Sequence, residues 1–213
     1  MIKLKTFVVG LLEQNTYIVS DDTREAVMID CGMMSTRECE AVAQYVKDEQ
    51  LTLKHLLLTH AHFDHACAVS FVHERYGLPV EFHADDMWLY NTMSQQVKQF
   101  LRRDIPYAMP SQTIALHEHD VITFGSHSLE CIATPGHTPG GLEFYCREEA
   151  TLFSGDSLFQ CSIGRTDFER SDTNALINSL RDKVMTLPAE TVVYAGHGPS
   201  TTIGYEQKYN PYI

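Results

Sequence analysis

Basic residues are scarce in this chain. Its 16 Lys and Arg stand against 28 Asp and Glu, for a formal net charge of −12, and the cations form no dense run. Such a surface repels phosphates, which excludes nucleic acid as a partner. Long apolar runs are also missing, and with them a membrane span. The N-terminal stretch from Met1 to Val9 alternates in polarity and then turns apolar. It lacks the pattern of a signal peptide and reads as a first strand, so the expected location is the cytoplasm. No Cys-x-x-Cys pair occurs among the six cysteines, and reduced thiols are expected rather than a disulfide framework. Cys67, two residues past His65, and Cys161, in a later loop, read as buried small hydrophobes. There is no Gly-x-Ser-x-Gly elbow for a serine nucleophile and no glycine-rich loop for a phosphate. No repeat, low-complexity tract or linker interrupts the chain. With 213 residues, 44% hydrophobic and 21% charged, it is expected to form one domain over residues 1–213.

Apolar patterning gives a strand-rich order with few helices. Strands are expected over 15–19, 26–29, 53–58, 79–82, 113–116, 121–124, 129–133, 142–146, 151–153 and 191–194. Ser35-Thr36-Arg37-Glu38 has the form of a capping box, which starts a helix at Thr36 with Ala41, Val42, Tyr45 and Val46 on its apolar face. Residues after His65 follow helical spacing through Tyr76. A single helix is expected over 85–103, a plausible wall over a pocket, and another from Asp172 to Leu187, stopped by Pro188. A short helix should close the chain. Strands, helix and strands, repeated twice, suggest two sheets packed face to face with helices outside.

Thr59-His60-Ala61-His62-Phe63-Asp64-His65 packs three imidazoles and a carboxylate behind the apolar run Leu56-Leu57-Leu58. These are ligands suited to zinc and its first-row neighbours. Three more apolar runs end the same way, in Pro135-Gly136-His137, Gly155-Asp156 and Gly196-His197-Gly198. A glycine-histidine pair after a strand is usually only a turn. Four such ends together supply five His and two Asp, too many donors for one zinc, which takes about four. They suit two metals if one carboxylate bridges.

His60-x-His62-x-Asp64-His65 followed by His137, Asp156 and His197 resembles the signature of the metallo-β-lactamase superfamily, along the whole chain. The resemblance implies an α+β fold, a four-layer αββα sandwich of two mixed sheets with the metal site at one edge. It implies that His60, His62 and His137 hold one ion, that Asp64, His65 and His197 hold the other, and that Asp156 bridges them. Asp30 matches an aspartate that orients a ligand imidazole. Two divalent ions are implied, zinc first, with iron or manganese as alternatives.

Within the superfamily, Ser154 to Phe159 and Ser162 to Phe168 resemble a single-domain branch of the glyoxalase II-like (hydroxyacylglutathione hydrolase-like) enzymes. The chain departs from the group in two ways. It ends soon after its last ligand, without the C-terminal helical domain that helps full-length relatives bind glutathione, and it carries Ala66-Cys67-Ala68 where many have glycine. The resemblance implies a thioester hydrolase acting on S-lactoylglutathione or a similar small molecule through a metal-bridging hydroxide. Asp64 would act catalytically as proton acceptor. Arg165 would hold an anionic group of the substrate, or simply form a loop salt bridge. The alternatives on the same scaffold are a mononuclear-iron persulfide dioxygenase and a lactonase. No membrane partner is expected, and the sequence carries no signal of oligomeric state. The remaining histidines, His55, His73, His83, His117, His119 and His127, read as surface or packed residues.

Overall fold

In the computed structural model, which describes residues 1–213, the strands gather into two six-stranded sheets. The first runs in chain order: β1 (Lys3–Val9), β2 (Gln14–Ser20), β3 (Glu25–Ile29), β4 (Thr52–Leu57), β5 (Val80–His83) and β6 (Thr113–Leu116). Its first three strands pair antiparallel and its last four parallel. The second sheet contains β7 (Val121–Phe124), β8 (His127–Ala133), β9 (Leu142–Cys146), β10 (Thr151–Gly155), β13 (Val192–Ala195) and β14 (Thr201–Thr202). There only β10 and β13 are parallel. A small hairpin, β11 (Leu158–Phe159) with β12 (Ser162–Ile163), lies between β10 and β13 in sequence.

Alternation along the strands builds the layers. On β2, Tyr17 and Val19 face the second sheet and join Phe144 and Phe153 in the central core. Ile18 points the other way, into a core shared with α1 (Thr36–Asp48), α2 (Phe63–Ala66), α3 (Val69–Tyr76), α4 (Met87–Asn91) and α5 (Met93–Leu101). On the far side, Tyr145, Leu152 and Val193 pack against Leu176 and Leu180 of α6 (Thr173–Asp182) and Ile203 of α7 (Ile203–Tyr209). Three apolar cores therefore separate four layers, helices outside and sheets inside. Each fully buried large side chain contributes about 1.5–3 kcal/mol to holding them.

The capping box at Ser35 and Glu38 is formed as expected. On α1 the buried small residue is Ala43, while Ala41 is exposed. The helix expected over 85–103 is broken. A 3-10 turn at Ala84–Asp86 leads into α4, and Thr92 separates α4 from α5. The Thr92 hydroxyl and backbone N–H both donate to the Leu89 carbonyl, which closes the turn early. Likewise α6 stops at Asp182, before Pro188, and a separate 3-10 turn covers Val184–Thr186. Cys161 is exposed, not buried, at a left-handed φ of 56° beside Tyr205. The other five cysteines are buried and free. No helix is long and apolar enough to cross a membrane.

Candidate metal centre

Four strand ends meet at one edge of the sandwich. Beyond β4, the Asp30 carboxylate accepts from the Thr59 N–H at 2.8 Å and from its hydroxyl at 2.9 Å, which turns the chain toward His60. Asp86 accepts from the Ala61 N–H at 3.0 Å, and His62 then stands at the position before α2, which carries Asp64 and His65. Past β8, the loop bearing His137 is tied back by the same Asp86, which accepts from the Thr138 hydroxyl at 2.9 Å and the Gly140 N–H at 2.7 Å. One buried carboxylate thus joins two loops. From the first sheet, Asn15 donates to the carbonyls of Ala195 and Gly198, and Tyr17 donates to Ala195, fixing the turn that carries His197. Gly196 allows this turn to lie close, since a Cβ there would meet Asp156 Oδ1.

All seven residues singled out by the sequence converge here. Three groups bring their donor atoms within 4.8 Å of one another: His60, His62 and His137; His60, His65 and Asp156; Asp64, His65 and His197. His62 Nδ1 lies 3.0 Å from His137 Nε2, and His65 Nε2 lies 3.3 Å from both His197 Nε2 and Asp156 Oδ1. His197 Nε2 is 3.2 Å from Asp64 Oδ2 and 3.7 Å from Asp156 Oδ2. Two nitrogens bound tetrahedrally to one zinc stand about 3.3 Å apart, from metal–nitrogen bonds of about 2.0–2.1 Å. The donor spacing fits that shape. His60 Nε2 and Asp156 Oδ1 are buried without any hydrogen-bond partner, which a cation between them would satisfy. The donor set therefore fits one or two divalent ions.

The outward nitrogens are held separately. His65 Nδ1 lies 2.8 Å from Asp30 Oδ2, His137 Nδ1 donates to the Arg165 carbonyl at 2.8 Å, and His197 Nδ1 to the Leu12 carbonyl at 2.9 Å. This leaves the Nε2 lone pairs facing the centre. Burial and the neighbouring imidazoles hold His60 neutral, well below its ordinary range. Burial and His137 push His62 down to about 3. Burial would also neutralise His65, but Asp156, Asp30 and Asp64 outweigh it and raise its pKa. Against their own burial, Asp64 and Asp156 stay ionised, lowered chiefly by His65. His60 and His62 are thus neutral and Asp64 and Asp156 ionised, the states a metal requires, whereas His65 and His197, raised by the carboxylates against their burial, would release a proton on binding one.

A cavity of about 280 Å³ opens on the centre between Leu12, Phe63, Phe100, Arg165 and Phe168. Arg165 lines it, yet its guanidinium is engaged by Asp167 through two 2.7 Å contacts and lies 4.2 Å over the Phe168 ring. The loop salt bridge is therefore formed in this conformation. Sequence reasoning missed Asp86, Asn15 and Gln96. Gln96 accepts from the Phe63 N–H and donates to the carbonyls of Ala61 and Leu89. An acid at a helix start and a glutamine within a helix carry no local signal of such roles.

Residues 9–197 match the profile of the metallo-beta-lactamase superfamily. Over 206 residues the chain is 35% identical to hydroxyacylglutathione hydrolase GloC of Haemophilus influenzae, covering 96% of this chain and 95% of that one. It superposes on the crystal structure of BLEG-1 B3 metallo-beta-lactamase with a TM-score of 0.89 and 39% identity, over 99% of both chains. It superposes on TTHA1623 in a di-iron-bound form with a TM-score of 0.87 and 36% identity, over 98% of this chain and 100% of that one.

Proposed function

This chain belongs to the metallo-β-lactamase superfamily, as a metal-dependent hydrolase of that family, and from that premise we propose that it cleaves a thioester. The observation that carries the reading is the seven-donor cluster, open to a cavity on one side. Its support at the level of substrate is the similarity to the hydroxyacylglutathione hydrolase of Haemophilus influenzae. In this reading His60, His62 and His137 would hold one ion, Asp64, His65 and His197 would hold the other, and Asp156 would serve both. When bound, such ions lower the pKa of water and stabilise negative charge on a carbonyl oxygen. Zinc is the first assignment, and the similarity to a di-iron form makes iron the main alternative.

The chain's own groups do the rest. Asp64, ionised at the cavity wall, accepts the proton of the attacking water. Asp30 keeps His65 in one tautomer. Phe63, Phe100 and Phe168 exclude bulk water around the reacting carbon. Water adds its oxygen to the acyl carbon, the carbon–sulfur bond breaks, and the products are a carboxylate, a proton and a thiol. The leaving thiolate needs little help, since thiol pKa values are about 8.5. Arg165 can receive an anionic acyl group only by leaving Asp167.

The test is metal analysis coupled to a substrate screen of S-lactoylglutathione, simpler thioesters, lactones and a β-lactam. Two metals per chain and thiol release from thioesters are expected. Loaded enzyme that cleaves lactones or β-lactams but no thioester overturns the proposal. So does one iron per chain with oxygen uptake on glutathione persulfide.

A further inference from the structure

Beside the cavity over the metal centre, and sharing His62, Phe100 and Phe168 as lining with it, lies a second cavity of about 320 Å³ lined by residues of α4 and α5. That volume is at the small end of ligand sites and suits one arm of a molecule. Its wall includes Trp88, Thr92, Gln95, Gln99 and Glu169. Gln95 and Gln99 lie one helical turn apart, and their side-chain amides are exposed and make no hydrogen bond within the chain. The indole N–H of Trp88, the single tryptophan, is buried and also lacks a partner. Each free carboxamide offers both a donor and an acceptor, the complement of another amide.

Charge argues for a neutral guest. Glu169 lines the cavity itself. The two guanidiniums of the adjoining loop each face a carboxylate already: Arg165 pairs with Asp167, and Arg170 lies 3.9 Å from Glu169 while stacking 4.4 Å over Trp88. No Lys or Arg lines the cavity itself to receive a carboxylate. Hydrolysis turns the acyl half of a thioester into an anion, which belongs near the metal centre and not beside Glu169. We propose that this second cavity binds the thiol arm of the substrate, and that the arm is an uncharged chain bearing amide groups, as in N-acylcysteamine thioesters, not one ending in carboxylates. The inference rests on the thioester-hydrolase reading.

Two measurements test it. The first compares S-lactoyl-N-acetylcysteamine with S-lactoylglutathione, which share an acyl group. A kcat/KM at least about tenfold higher for the neutral thioester is expected. Gln95→Leu and Gln99→Leu should each raise its KM about fivefold to tenfold, the loss of one hydrogen bond, with kcat kept. Turnover of an amide-free thioester should be unchanged. The second measurement needs no turnover. S-Methyl-N-acetylcysteamine, an uncleavable thioether, should change the fluorescence of Trp88 saturably, and the two leucine variants should weaken that binding by the same factor. Preference for the glutathione thioester overturns the inference, as does a fluorescence titration with no saturable change or one indifferent to the leucines. If no thioester is cleaved at all, the hydrolase reading falls, and the titration still decides whether the cavity takes a neutral amide.

Discussion

Asp30 holds a left-handed backbone, φ 57°, which costs a non-glycine residue about 1 kcal/mol or more. The position is kept by what its carboxylate binds: Thr59 twice and His65 once. Removing that partner frees the His65 ring to rotate. Asp30→Ala should therefore weaken metal binding about tenfold to a hundredfold, read by competition with a chelator, while far-UV circular dichroism stays unchanged. Asp86 is the parallel case for the other side of the centre. Its carboxylate satisfies donors on both the His60–His62 loop and the His137 loop. Asp86→Ala leaves those donors buried and unpaired, and should cost metal affinity by about tenfold. Asp86→Asn keeps one acceptor oxygen and should fall between the two. Asp156→Ala differs in kind, because the proposal gives that side chain to both ions. Metal content near zero and loss of activity are expected there, and full retention of either refutes the bridging role.

At the scale of elements, the centre depends on how strand ends approach one another. The turn after β13 lies against Asp156 and His65 at Gly196, leaving no room for a side chain. Gly196→Ala should drive Asp156 out of place and lower metal affinity at least about a hundredfold, measured by titration with Zn2+, in a chain that still folds. The ligands were legible in sequence because each follows an apolar strand directly, and strand ends at one edge of a sandwich must cluster. That there are two packed sheets was legible from the succession of strands, helix and strands repeated twice; the order of strands within each sheet was not. The break at Thr92 was not, since an 85–103 segment with a continuous apolar stripe looks the same with one missing hydrogen bond. Nor were the cross-sheet contacts of Asn15 and Tyr17 with Ala195, which span about 180 residues of sequence and leave no local trace. Arg165 shows the same limit: its spacing to Asp167 permits a salt bridge, but only the fold shows the bridge formed above the cavity.

For the molecule as a whole, metal and stability are linked, because ligands from both sheets meet only when the sandwich is closed. With metal at about a thousand times its Kd, binding to the folded state alone adds about 4 kcal/mol. Chelation should then lower Tm by roughly 10 °C for a chain of this size, read by calorimetry. A second lever lies away from the centre. Glu143 on β9 is fully buried, and neither of its carboxylate oxygens has a hydrogen-bond partner. Burial raises its pKa well above the ordinary carboxylate range, so the folded chain keeps the proton that the unfolded chain releases above about pH 4.3. Between those two pKa values the folded state holds one proton more than the unfolded state, and stability falls as pH rises, by about 1.4 kcal/mol per pH unit. Below about pH 4.3 both states are protonated and this penalty vanishes. Glu143→Gln removes the titrating group with little change of shape. It should raise Tm over wild type at pH 7 and match it near pH 4, in melts across that range. An equal Tm at both pH values would mean that Glu143 ionises in the folded chain as freely as in the unfolded one.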